Sequence, residues 1–322
     1  MRQVKICGFA ASAVICVLLL TAGCAQTATL ALKFTPDDVT DYKVTTERER
    51  GIIWEGPLTN KPKGFVGGHT GNKIEMTFTQ QIQSVDDEGS TVAKITIKGL
   101  KYLAKVKDNI ILDFDSSREK DLNNPLGKLI GQSYTIEITA SGEVSKVIDV
   151  SGARTAVGGA SSNQRAARLL LAEVIKEQHS IPALPGSQKN QLRPGESWSD
   201  IKTFSFGPMG SKSYERIYEL KEINNIKGRR TAIIKMSVVP SSEKAKELHK
   251  EQGTGFFSKM FDTTETYTGE LRLDLTAGKI EKYFEEFRSD WVAVDLMAGK
   301  KETEPDTLRM SATRLYRIER ID

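Results

Sequence analysis

Cysteine is scarce in this chain, and its placement removes several kinds of chemistry. The 322 residues include three cysteines, Cys7, Cys16 and Cys24, and the long remainder of the chain contains none. Disulfide frameworks, zinc–thiolate sites and cysteine nucleophiles all need cysteines within the folded domain. The sequence therefore argues against each of these classes of site.

Histidine is equally scarce, which weakens the case for an enzyme. His69, His179 and His249 have no partner at metal-ligand spacing, and the Gly-x-Ser-x-Gly motif of serine hydrolases is absent. We predict three surface histidines and a protein that has no catalytic residue, metal or cofactor. Asp113 and Asp115 share one face of a predicted strand, where they could bind calcium or act as acid and base, but a solvated strand face is the simpler interpretation.

Neither basic nor acidic residues predominate in the sequence. The chain has 46 basic and 42 acidic residues, for a formal net charge of +4, and Arg2 and Lys5 are two of the basic ones. This balance gives no reason to expect nucleic acid or a strongly acidic partner. After residue 22, no apolar run is long enough to cross a bilayer.

The first 24 residues have the pattern of an export signal. Arg2 and Lys5 precede an uncharged, largely apolar stretch over residues 6–22, which is short for a membrane span. Residues 20–24, Leu-Thr-Ala-Gly-Cys, resemble the lipobox of bacterial lipoproteins. The resemblance implies that residues 1–23 are a signal peptide and that the Cys24 thiol receives lipid. A plain secretory signal and a retained transmembrane helix are the alternatives.

Lipid on Cys24 would make the membrane the first partner of this protein. Each buried methylene of an acyl chain contributes about 0.8 kcal/mol, so two or three chains anchor a protein durably. In lipoproteins of Gram-negative bacteria, an aspartate after the cysteine commonly retains the protein in the inner membrane, whereas this chain has Ala25. The resemblance therefore implies a cell-envelope protein in the outer membrane, facing the periplasm.

Alternation of polar and apolar residues predicts a chain that is mainly β. It runs through residues 73–78 and 91–98, and the acidic and glycine residues at 86–89 predict a hairpin turn between them. A second hairpin is predicted over residues 134–150. We expect a fold that is mainly β with a few helices (α+β).

The same plan recurs in the second half of the chain, which suggests an internal duplication. Residues 82–97 parallel 223–236, residues 138–144 parallel 275–280, and residues 34–38 parallel 192–196. The matches keep their order, as an old duplication would, and chance similarity of generic hairpins is the alternative. We predict two similar antiparallel sheet domains, at residues 24–180 and 195–322.

A helix and a linker are predicted between these domains. From residue 162 onward, apolar residues recur at helical spacing opposite a charged side, which predicts an amphipathic helix packed against a sheet. The apolar residues are Ala167, Leu170, Leu171, Val174 and Ile175. Residues 181–194 contain three prolines and have the composition of a linker. Asn124 before Pro125 predicts the start of a shorter helix.

One cluster of large apolar residues is a candidate contact site. Phe256, Phe257, Met260 and Phe261 follow a glycine-containing segment and would share one side of a helical turn. They would act as a lid or contact surface for an apolar ligand, lipid or partner, or as a plug for the open end of a sheet. We favour the plug.

Three features together suggest a family: the lipobox-like residues 20–24, the Pro-Gly-Glu-Ser-Trp segment at 194–198, and the glycine-containing hairpin turns. They resemble uncharacterised bacterial lipoproteins with a duplicated β-rich domain, a family that implies no catalytic residue. Our leading hypothesis is a non-enzymatic binding or scaffold module of the envelope, whose partner is an envelope protein or an apolar ligand.

Two other functions stay open. One is a carrier of lipid or another apolar ligand, because a curved sheet closed by a helix resembles lipoprotein-sorting proteins. The other is an envelope hydrolase that uses carboxylates such as Asp113 and Asp115.

Overall fold

The computed structural model describes residues 27–56, 66–121, 123–159, 163–186, 189–206, 210–226, 228–239, 260–294 and 306–321. The strands are β1 (Ala28–Thr29), β2 (Val39–Glu55), β3 (Gly68–Val85), β4 (Thr91–Val106), β5 (Asn109–Asp115), β6 (Ser133–Ile138), β7 (Val144–Asp149), β8 (Gln191–Leu192), β9 (Ser197–Ser205), β10 (Ser211–Ile226), β11 (Arg229–Val239), β12 (Asp262–Asp274), β13 (Lys279–Val294) and β14 (Thr307–Ile321). The helices are α1 (Ser151–Val157), α2 (Gln164–Leu169) and α3 (Ala172–His179), with 3₁₀ turns at Glu119–Asp121 and Pro125–Leu129.

The strands other than β1 and β8 form one antiparallel sheet of twelve strands. Its order is β7-β6-β4-β3-β2-β14-β13-β12-β11-β10-β9, and β5 pairs with β4 outside this path. β1 and β8 form a separate two-stranded sheet. Most neighbours are consecutive in the chain, as hairpins require. The long-range exception is β14, which pairs along its full length with β2.

Alternating burial explains why these segments are strands, and it confirms the mainly β prediction. Ile74, Met76 and Phe78 of β3 are buried, while the residues between them are only partly covered. The predicted turn before β4 forms because the Asp86 carboxylate accepts hydrogen bonds from the backbone N–H groups of Glu88 and Ser90, at 3.0 and 2.8 Å.

The two halves of the chain contribute to a single large sheet. The sequence predicts a separate sheet for each half. Consecutive strands do pair within each half, in hairpins β3–β4 and β6–β7 of the first and β10–β11 and β12–β13 of the second. Pairing of β2 with β14 then joins the first half to the second. Alternation within a strand cannot predict this junction, because both strands still have an edge free for a partner. The topology does not decide the duplication, which stays a prediction.

The predicted amphipathic helix is broken into α2 and α3. Leu171 is extended, with φ −70° and ψ 141°, and the break lets Leu169 and Leu170 both point into the core. The shorter helix forms as predicted, as a 3₁₀ turn in which the Asn124 side chain accepts from the Leu126 N–H at 3.0 Å. In the described ranges, none of the helices has the length and apolar character needed to cross a bilayer.

The second half of the sheet curls strongly. Four inter-strand steps separate β9 from β13, which would place them about 19 Å apart in a flat sheet. The ring centroids of Phe204 on β9 and Phe287 on β13 are nevertheless 4.9 Å apart. An aromatic cluster that also includes Phe206, Tyr214 and Tyr267 fills the enclosed space. Helices α1–α3 fill the corresponding side of the first half, so the core has two filled ends.

Candidate binding cleft

The inner face of the sheet carries a cleft between the helices and the end of β9. Two adjoining pockets form it, with volumes of about 430 and 480 Å³, and Arg48 and Arg314 line both. We call the larger one the cationic pocket because five arginines line it, Arg48, Arg50, Arg165, Arg168 and Arg314. Glu49 and Lys105 also border it, but they alternate with the inward-facing residues of β2 and β4, which places their side chains on the opposite face of the sheet. We call the other one the mixed pocket, since acidic side chains such as Glu173, Glu177 and Glu285 line it beside Lys176 and Lys202.

Pairing of β2 with β14 places two arginines directly opposite each other. Arg48 and Arg314 are register partners, and the Cβ atoms of such a pair lie about 4.5–5.5 Å apart. Like charges in this arrangement destabilise a sheet. The Arg48 guanidinium is held by Glu177 of α3, and Arg314 stacks on the Phe204 ring at 4.7 Å while donating to the Ser205 carbonyl at 3.0 Å. These contacts fix both guanidinium groups in the cleft.

Positive charge accumulates around Arg314. Burial lowers the pKa of this guanidinium from its ordinary value, and the nearby charges of Arg48 and Arg50 lower the pKa further, while Glu177 opposes them. Within the described part of the chain, no side-chain hydrogen bond or ion pair involves Arg50, Arg165 or Arg168. The cationic pocket therefore has more guanidinium groups than acidic partners.

The wall of the cationic pocket next to the β4–β5 hairpin is apolar. Tyr102, Ala104 and Val106 of β4 and Ile111 of β5 line it. Val106 and Ile111 keep 39% and 49% of their surface exposed, and the adjacent Ile110 keeps 61%. An exposed apolar edge therefore adjoins a group of positive charges.

A buried ionic network supports the floor of the mixed pocket. Arg216 is buried and donates to Asp200 and, at 2.9 Å, to Glu285. The Tyr267 hydroxyl donates to Glu285 at 2.8 Å. Burial raises the pKa of Tyr267, and the negative charge of Glu285 raises it further. Each charge has its partners within the network, so the arrangement is structural support for the pocket.

The apolar residues predicted as a contact site are only partly described. Phe256 and Phe257 lie outside the described residues. Phe261 is buried with 7% of its surface exposed, and Met260 is 44% exposed. Neither lines the cleft. Cys24, the predicted lipidation site, also lies outside the described residues.

The candidate carboxylates for a hydrolase do not converge on a cleft. Asp113 pairs with Arg118 at 3.0 Å, and Asp115 pairs with Lys101 at 3.1 Å. Hydrogen bonds from the Ser117 backbone N–H and hydroxyl lower the pKa of Asp115 to about 2. Among the residues that the structure describes, no group of side chains is arranged to hold a metal ion.

The prediction of three surface histidines is wrong for His179. This residue is buried with 5% of its surface exposed, and one ring nitrogen lies 2.7 Å from the Tyr134 hydroxyl. Burial lowers the pKa of His179 to about 3. His69 is partly exposed, and its Nδ1 lies 2.9 Å from the Asp108 carboxylate, away from the cleft. His249 lies outside the described residues.

Sequence reasoning missed the arginines of the cleft. Arg48 and Arg50 lie two residues apart and so share one face of β2, but the sequence does not show that this face is the inner one. The sequence also separates Arg48 from Arg314 by most of the chain, so their juxtaposition depends on the β2–β14 pairing. The signal that the sequence offered was an arginine at a position that, by alternation, shares a strand face with buried residues.

Comparison with known proteins gives no family. No family model matches the sequence, and no curated protein matches it. Ten chains among solved structures match this chain. One is lipovitellin, studied for its lipid–protein interactions, with 11% sequence identity and a TM-score of 0.40 over 90% of this chain. The match covers 26% of the lipovitellin chain. At this degree of similarity nothing follows about a ligand or a function.

Proposed function

We propose that this protein is a non-enzymatic binding module of a bacterial cell envelope, anchored through lipid on Cys24, and that it binds its partner in the cleft. The observation that carries the proposal is the crowding of arginines on the inner face of the sheet. Arg48 opposite Arg314 works against sheet stability, and Arg50, Arg165 and Arg168 add charge to the same pocket. A scaffold selected for stability alone has no need of this arrangement.

The filling of the interior favours a binding module over a carrier of wholly apolar ligands. Aromatic side chains fill one end of the curled sheet and helices fill the other. In the described part of the chain, the two large pockets are lined by charged residues. A wholly apolar ligand would leave those charges without water or a partner, which is unfavourable.

The anchor would orient the cleft away from the membrane. β1 begins at Ala28, four residues after Cys24, and four extended residues span at most about 14 Å. The adjacent backbone is fixed to the turn end of the sheet, because Leu32 N–H donates to the Ala140 carbonyl and Lys33 N–H to the Gly278 carbonyl. Arg48 lies about 30 Å along β2 from Val39 at that end. The cleft would therefore face the periplasm.

Site-specific photo-crosslinking in living cells tests the proposal. A photoreactive amino acid at Thr46, which lines the mixed pocket, should crosslink to an envelope component. The matched control is Lys98, an exposed β4 residue that lines neither pocket of the cleft. Crosslinks of equal yield and identity from both positions would refute a binding role for the cleft.

We also propose that the two halves arose by duplication, and backbone geometry supports this. Asp37 N–H donates to the Ile82 carbonyl and Ile82 N–H donates to the Asp38 carbonyl. Gly195, Leu220 and Glu196 make the same reciprocal pair in the second half, which matches Ile82 to Leu220 and not to Ile223 as in the sequence comparison. Asp37 and Gly195, which occupy the matching position, both have positive φ, at 67° and 92°.

A second coincidence supports the same proposal. The register of β3 against β4 shifts between Ile82 and Ser84, and that of β10 against β11 shifts between Leu220 and Glu222. β-Bulges are conserved within protein families, so a bulge at the matching place in both halves supports a common origin. An experimental structure tests the proposal by superposition of residues 28–150 on residues 192–321, and failure of these bulges to superpose would contradict a common origin.

A further inference from the structure

We infer that the cationic pocket binds the phosphate-bearing head group of an anionic lipid, with the acyl chains against the apolar edge of the β4–β5 hairpin. This inference rests on the proposed function, because it names the ligand class of the same cleft. Three properties of the pocket support it: the geometry of its charges, the excess of arginines over acidic partners among the described residues, and the adjacent apolar wall.

The geometry of the charges suits a phosphate group. Arg48 and Arg50 are two residues apart on one face of β2, which separates their Cα atoms by about 7 Å. Arg314 lies opposite Arg48 on β14, and α2 places Arg165 and Arg168 on the facing side of the pocket. Each planar guanidinium can donate two parallel hydrogen bonds to the oxygens of one phosphate. Several arginines that converge on one position therefore recognise phosphate better than an isolated arginine does.

The charge balance calls for an anionic partner. Five arginines line the pocket, and Glu177 binds one of them, Arg48, from the adjoining pocket. Burial and the charges of Arg48 and Arg50 lower the pKa of Arg314, while Glu177 opposes this shift, so the surroundings disfavour the charged form of this guanidinium. A bound anion would relieve the repulsion among these arginines.

The apolar wall distinguishes a lipid from a free phosphate. Val106 and Ile111 line the same pocket as the arginines and keep 39% and 49% of their surface exposed. Covering such side chains removes apolar surface from water, at about 25 cal/mol for each Å². A free phosphate covers none of this surface, whereas acyl chains attached to the bound head group would cover it. The pocket volume of about 480 Å³ lies within the range of small-molecule sites.

The decisive variant removes charge without removing a structural contact. Arg50→Gln, Arg165→Gln and Arg168→Gln together change three exposed side chains that have no ion pair in the described structure. The matched control, Lys98→Gln with Lys128→Gln and Lys146→Gln, removes the same charge from exposed positions outside the pocket. A third variant, with lysine at the three arginine positions, keeps the charge and removes the paired donors.

Native mass spectrometry of the full chain in non-ionic detergent measures the binding. Dioleoyl phosphatidylglycerol, dioleoyl phosphatidylcholine and glycerol 1-phosphate are each added as probes. We expect one phosphatidylglycerol molecule per chain, with weaker binding of the other two probes. The glutamine variant should lose about tenfold or more in affinity, the lysine variant should lose less, and the lysine-to-glutamine control should match the parent. Rising salt should weaken binding, because it screens the charges.

Three results would overturn the inference. Equal binding of phosphatidylcholine would mean that the anionic charge is not recognised. Equal binding of glycerol 1-phosphate would mean that the acyl chains contribute nothing and that the ligand is a free phosphate ester. Equal losses in the glutamine variant and its control would place the effect outside the pocket. A specific crosslink from Thr46 together with any of these results would leave the proposed function standing and refute only the lipid as its ligand.

Discussion

Replacement of the buried His179 by glutamine should remove a pH dependence from the stability of this protein. One ring nitrogen of His179 lies 2.7 Å from the Tyr134 hydroxyl, and the Phe78 ring packs edge-on against the imidazole with centroids 4.6 Å apart. Among the residues that the structure describes, no carboxylate hydrogen-bonds to this ring to favour its protonated form, and burial lowers its pKa to about 3. Glutamine can still accept from Tyr134 and stays neutral at every pH.

The sign of the effect follows from proton binding. Between about pH 6.5 and pH 3, His179 of the unfolded chain binds a proton that the folded protein excludes. The free energy of unfolding therefore has its full value above about pH 6.5 and falls as the pH decreases through this window. The limiting slope is about 1.4 kcal/mol for each pH unit. The His179→Gln variant should lack this contribution, although its stability at pH 7.5 should be somewhat lower than that of the parent.

Urea denaturation at pH 7.5, 6.5, 5.5 and 4.5 measures the slope. His69→Gln is the matched control, because it removes an imidazole that is partly exposed on β3 and not a buried one. We expect the parent and the control to lose stability in parallel, and the stability difference between His179→Gln and the parent to shrink steadily as the pH falls. Identical slopes for all three proteins would refute the assignment of a neutral, buried imidazole.

Three further predictions concern other parts of the molecule. Arg216→Met should lower the free energy of unfolding by about 3–5 kcal/mol in urea denaturation, because it leaves the buried Glu285 charge without its cationic partner. Adding Glu285→Gln should restore part of the loss. A change below about 1 kcal/mol for Arg216→Met would contradict the role of this ion pair. Phe261→Ser should lower the free energy of unfolding by about 3–5 kcal/mol, whereas Met260→Ser, at an exposed position, should lower it by less than about 0.5 kcal/mol. Similar melting temperatures of the two variants in calorimetry would argue against a plug. Cys24→Ser should give an unprocessed or soluble protein, and equal membrane retention with an unmodified Cys24 in the parent would remove the basis for the anchor.

Local patterns predicted several of the strands, one turn and the start of the short helix. Alternation marked strands β3, β4, β6 and β7, and the residues at 86–89 form the predicted turn. Asn124 caps the short helix that it was predicted to begin. These features depend on interactions between residues close in the chain, so a short window of sequence contains the information that determines them.

Longer-range features were predicted less well. Helical spacing from residue 162 onward predicts one helix that ends before Pro182, but burial of both Leu169 and Leu170 favours a break at Leu171. His179 was placed on the surface because nothing nearby in the sequence indicated that Phe78 and Tyr134 would enclose it. Both errors arise because burial depends on residues contributed by distant segments.

The amino-acid sequence by itself determined which segments become strands, which residues of each strand share an apolar face, and where hairpins turn. Only the tertiary structure decided that β14 pairs with β2, and this pairing brings Arg314 opposite Arg48 and creates the cationic pocket. The physical reason is that edge strands offer the same backbone donors and acceptors to any partner, so the choice depends on how the sheet curls and on which side chains its interior can hold. The arginines of the cleft are thus visible in the sequence as residues but become a site only through the closure of one sheet.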